Sequence, residues 1–148
     1  MDTKKSCGYI HDAVEEITKI KDTYENTGEV KRSILEATVR TAMEAGSYIR
    51  ENLRLILDDY DRIHRHVLDA DISEDKRYPK CWRGDRAGID KAILRLTTCL
   101  YDIHRYEQYD SMQDCISGLY DSIRTLRDGI TETVNVIGDD LLFYDRIG

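Results

Sequence analysis

Chemistry is best concentrated between Lys76 and Arg86. This segment holds five cations, Lys76, Arg77, Lys80, Arg83 and Arg86, against one acid, Asp85, with Tyr78 and Trp82 interleaved. Guanidinium and ammonium groups beside aromatic faces suit a phosphate or a nucleotide, because the cations neutralise the oxyanion while a ring stacks on a base. The segment also leads into the third helix, whose first N–H groups would add a positive end. The plainer alternative is an inter-helix crossover. There Tyr78 and Trp82 would plug the end of a bundle, and the cations would stay solvated or pair with Asp71, Glu74 and Asp75. The anion-binding candidates are therefore Lys76, Arg77, Lys80, Trp82, Arg83 and Arg86, and the ligand class they imply is a small phosphate-bearing molecule.

Other chemistry finds less support in the residues. Di-metal helical bundles combine Glu from two helices with Glu-x-x-His from two more. The nearest sets here are His11 with Glu15, Asp61 with His64, and His104 with Glu107. In an up-down bundle His64 and His104 lie about 20 Å apart along the axis, too far for one ion. The motifs H-E-x-x-H, C-x-x-C, G-x-S-x-G and the phosphate-binding G-x-x-x-x-G-K-S/T do not occur. Acidic neighbours such as Asp58-Asp59 and Asp139-Asp140 point about 100° apart on a helix and do not converge as an acid–base pair would. No metal or cofactor is expected from this pattern, and it assigns no catalytic residue. A bundle enzyme with scattered site residues is the third reading of the chain.

Charge narrows the partners. The 148 residues include 22 Lys and Arg against 29 Asp and Glu, a net charge of −7. Duplex binding needs a broad basic face to displace counterions, so nucleic acid is not an expected partner. No run of about 18 apolar residues occurs, so no membrane span is expected. The first eight residues have no apolar stretch behind Lys4 and Lys5, unlike a secretory signal. Cys7, Cys81, Cys99 and Cys115 form no close pair, and they read as free thiols of a reducing cytoplasm.

The elements that must position these residues are helices. Ile10, Val14, Ile17 and Tyr24, with Ala13 and Ile20 beside them, mark a first helix over about 7–25 that Asn26-Thr27-Gly28 stops. Leu35, Val39, Ala42, Gly46, Ile49, Leu53, Ile56, Tyr60, Ile63 and Val67 follow a strict 4-3-4-3 spacing, a heptad seam. This predicts a long second helix over about 29–69, continuous or kinked near Gly46. A third helix over about 86–108 carries Ile89, Ala92, Ile93, Leu96, Cys99, Leu100, Ile103 and Tyr106. A fourth starts at Asp110 or Ser111 and runs along Met112, Ile116, Leu119, Ile123, Leu126, Ile130, Val134 and Ile137 to Gly138, followed by one short docked turn. Ten of the twelve aromatic residues are tyrosine. Tyr60, Tyr101, Tyr106 and Tyr120 fall at stripe edges, where the ring packs and the hydroxyl reaches a rim.

The expected fold class is all-α, an antiparallel up-down four-helix bundle spanning residues 1–148 as one domain, with a long second helix and a short C-terminal turn. A second helix of about 60 Å would outrun neighbours of roughly 27 to 40 Å and leave its seam uncovered. A second copy of the chain would cover it, so the leading expectation is a non-enzymatic cytoplasmic homodimer. Ala42, Gly46, Ile49, Leu53 and Ile56 are the self-association candidates.

Overall fold

Four helices carry nearly all of the described chain: α1 (Thr3–Thr27), α2 (Arg32–Ala70), α3 (Arg86–His104) and α4 (Met112–Ile147). The structure is a computed structural model that describes the backbone of residues 1–70 and 86–147 and the side chains of 1–62 and 86–145. The helices form an antiparallel up-down bundle with each packed on its sequence neighbours, α4 closing the ring against α1 and α2 crossing the diagonal to meet α4. No strand occurs among the described residues.

The helix ends follow from local chemistry. Asp2 caps α1 by accepting from the Lys5 backbone N–H at 2.7 Å. Gly28 ends it in the left-handed region at φ 70°, and its N–H donates to the Tyr24 carbonyl at 2.8 Å. Ser111 starts α4 by accepting from the Asp114 N–H at 3.1 Å, as the sequence predicts. A 3₁₀ turn at Tyr106–Gln108 follows α3, where the sequence suggested continuing α-helix to 108.

α2 is unbroken across all 39 residues, with no kink at Gly46. A Cβ at Gly46 would stand 2.8 Å from a Leu100 methyl and 3.1 Å from those of Leu126, so glycine is what lets α3 and α4 press onto α2 here. The break falls in α4 instead. Ile137 has non-helical angles, φ −129° and ψ 27°, and helix resumes beyond it to Ile147. The short docked turn expected after Gly138 is thus a second helical piece.

The core is continuous along the predicted stripes. Ile10, Ile17, Leu35, Ile49, Leu53, Ile56, Leu96, Ile103, Ile116, Leu119, Ile123 and Leu126 are fully buried. Burying such side chains contributes roughly 1.5–3 kcal/mol each, the main force closing the bundle.

Candidate functional site

Of the six anion-binding candidates, Lys76, Arg77, Lys80, Trp82 and Arg83 lie outside the described residues. Arg86 opens α3, and its guanidinium is committed to acids. Nε donates to Asp61 Oδ1 at 2.7 Å and one terminal nitrogen donates to Asp90 at 2.8 Å. These carboxylates hold Arg86 further above its usual range, Asp61 contributing most. The group pins the start of α3 to α2 and turns no free charge toward an anion.

The self-association candidates require a correction. Ala42, Ile49 and Leu53 are 0% exposed within the single chain, Ile56 is 2% exposed, and Gly46 is buried under Leu100 and Leu126. The heptad seam faces α1, α3 and α4 of its own bundle, so a second copy reaches none of these five while the bundle is closed. A seam that packs within a chain has the same spacing as one that packs between chains.

Two other places stand out. The first is polar and internal, at the end of the bundle where α1 begins. Asp145, beyond the α4 break, accepts from the Thr3 backbone N–H at 2.8 Å through Oδ2. Its Oδ1 accepts from the Tyr48 hydroxyl at 2.5 Å and from the Asn52 amide at 3.3 Å. Asp145 thereby places a carboxylate at the positive end of α1. Next to it in sequence, the Tyr144 hydroxyl donates to Asp59 on α2. Thr3, Ser6, Asn52 and Asp140 are all buried around this end of the chain. The Thr3 and Ser6 hydroxyl oxygens have no hydrogen-bond partner among the described residues.

This network shifts its neighbours. Burial pushes the Tyr48 phenol up, and the hydrogen bond to Asp145 adds to that. Burial likewise raises the Cys7 thiol, and the Asp145 charge raises it further. Cys7 is therefore a half-buried thiol with little thiolate character. Cys99 and Cys115 are buried, and the three described cysteines are free.

The second place is a groove of about 390 Å³ between α3 and α4, floored by Ile89, Ala92, Gly129 and Ile137. Val136 lines it with 64% of its surface exposed, and Leu94, 66% exposed, lies on α3 outside its lining. Lys91 and Arg95 line its α3 wall and Glu132 its α4 wall, with Arg95 paired to Glu132 across the top.

The two histidines with described side chains do not converge, and the side chains of His64 and His66 lie outside the described residues. His11 sits on the surface 3.4 Å from Glu15, and His104 is exposed at the end of α3. No group of three or more His, Cys, Asp or Glu is placed to hold a metal ion among the described residues. No helix of the described residues is long and apolar enough to cross a membrane. Tyr120 and Tyr101 take cations on their ring faces, Lys21 and Arg124 on the first and Arg105 on the second. Tyr106 is pushed up to about 12, mainly by burial and then by its bond to Glu107.

The Asp145 network was missed in the sequence, yet a signal for it exists. Thr3 and Ser6 continue the Ile10–Ala13–Ile17–Ile20 spacing backwards, and Asp140 continues the α4 stripe beyond Ile137. Polar residues on an apolar seam mark an interior that hydrogen bonds must complete. Compared with protein families, curated proteins and solved structures, the chain shows no match.

Proposed function

We propose that the protein is a non-enzymatic cytoplasmic helical bundle that acts by self-association, and that the surface used is the outer face of α3 and α4. The observation that carries this reading is Val136, 64% exposed in the lining of a groove whose other apolar members are Ile89, Ala92 and Ile137, with Leu94 66% exposed elsewhere on the outer side of α3. Clustered exposed apolar surface rimmed by charge is what interfaces present. The occupant is a second copy, whose own exposed Val136 offers the apolar surface the groove would cover. The groove's α3 wall carries Lys91 and Arg95, and its α4 wall carries Glu132. A two-fold axis that sets α3 of one copy over α4 of the other lets each copy's Val136 meet the other's groove. Free cysteines accord with the cytoplasmic setting.

Light scattering after size exclusion tests the reading on wild type and on the double variant Leu94→Asp, Val136→Asp. The expected result is a wild-type mass near twice 17.2 kDa that falls to that of one chain in the variant, with helical circular dichroism retained. A wild type that stays monomeric at every concentration, or a dimer that the double variant leaves intact, overturns it.

A further inference from the structure

The bundle's terminal helical piece differs in kind from the four that precede it. It follows a residue, Ile137, whose backbone already lies outside the helical region, so rotation there leaves the helical pieces on either side intact. Its apolar anchorage among the described residues is short: Leu141 at 0% and Tyr144 at 7% exposed, with Leu142 and Phe143 facing water at 46% and 40%. Much of what holds it is instead polar and concentrated on two side chains. Tyr144 reaches Asp59, and Asp145 takes three donors from α1 and α2. Elements with few apolar contacts and a separate polar attachment open before the global transition.

We propose that the segment following Ile137 is a latch, keyed by the Asp145 carboxylate, that opens about Ile137 while the rest of the bundle stays folded. The bed it leaves is rich in donors: the Thr3 N–H, the Tyr48 hydroxyl, the Asn52 amide and the buried hydroxyls of Thr3 and Ser6. Cys7, one residue on from Ser6, lies close enough to feel the Asp145 charge. Opening the latch moves away the Asp145 charge that helps suppress its thiolate, so Cys7 becomes more reactive in the open state. The hinge residue Ile137 also lines the self-association groove, but the two proposals are read separately, one by mass and the other by exchange and labelling.

Hydrogen exchange read by mass spectrometry on the wild-type chain is the first measurement, comparing peptides from 138–145 with peptides from 116–130. The latch requires protection in 138–145 to be well below that in 116–130. The second is the rate of Cys7 alkylation by N-ethylmaleimide, assigned by peptide mapping, in wild type, Asp145→Asn and Tyr48→Phe. Loss of a charge-assisted bond is expected to speed Cys7 labelling on the order of tenfold in Asp145→Asn, and less in Tyr48→Phe, with exchange in 116–130 unchanged. Equal protection of the two regions in the wild type overturns the proposal. So does a variant that accelerates both regions together, or Cys7 labelling that does not follow the exchange of 138–145.

Discussion

Gly46 and Tyr48 are two residues apart on α2, yet they face opposite kinds of interior. Gly46 looks toward Leu100 and Leu126, where the backbone itself is part of a dry, close contact. Tyr48 looks toward Asp145, Asn52 and the first turn of α1, where oxygen and nitrogen atoms complete one another. The first interior is held by shape and apolar area, spread over many side chains. The second is held by a few directed bonds that converge on one carboxylate. Apolar area tolerates a lost methyl with a graded penalty, whereas a convergent network fails when its acceptor goes.

The largest expected effect lies in the apolar interior. Ile49→Asp places a carboxylate at a fully buried position with no cation beside it, at a cost on the order of 5 kcal/mol. Far-UV circular dichroism should show a chain that has lost its helices, not folded monomers freed from a dimer. A folded, helical Ile49→Asp would mean that the heptad seam is not the core. A smaller effect is expected in the polar interior. Tyr48→Phe removes one donor and leaves Asp145 with two, so thermal melting should show a loss of about 1–2 kcal/mol with helix content retained. A loss as large as that of Ile49→Asp would erase the contrast between the two regions.

The smallest effect is at the far end of the bundle. The Tyr106 phenol is held neutral up to about 12, against about 10 when the chain is unfolded. Its neutral form is favoured in the fold, so this contribution is intact below pH 10 and is lost as pH rises through 12. Spectrophotometric titration should resolve a late tyrosine step near 12, beside the raised Tyr48, and Tyr106→Phe should remove that step and flatten the fall in stability over the same range.

How much of this the sequence showed follows the same division. The apolar interior was legible because Leu35, Ala42, Ile49, Leu53 and Ile56 repeat at helical intervals on one element, a local pattern that needs no knowledge of the partner. The Gly28 stop and the Ser111 cap were legible for the same reason. The direction of the α2 seam was not, since its spacing does not record which helices cover it. The partners of Asp145 were not legible, because its bonds join residues 93, 97 and 142 positions apart; local spacing showed only that polar Thr3, Ser6 and Asp140 stand on apolar stripes. The groove lined by Val136 was missed because Val136 falls off its stripe, where an isolated aliphatic residue looks incidental.

The bond from the Thr3 N–H to Asp145 also has a use in engineering. It holds the first and last turns of the chain within one hydrogen bond of each other. A short peptide joining the two would close the chain into a ring without stretching a helix. A new opening between Gly28 and Arg32, where α1 already ends and α2 has yet to begin, would leave all four helices whole in the permuted order α2–α3–α4–α1. The same proximity means that domains fused to both ends would emerge side by side from one end of the bundle and compete for the same space.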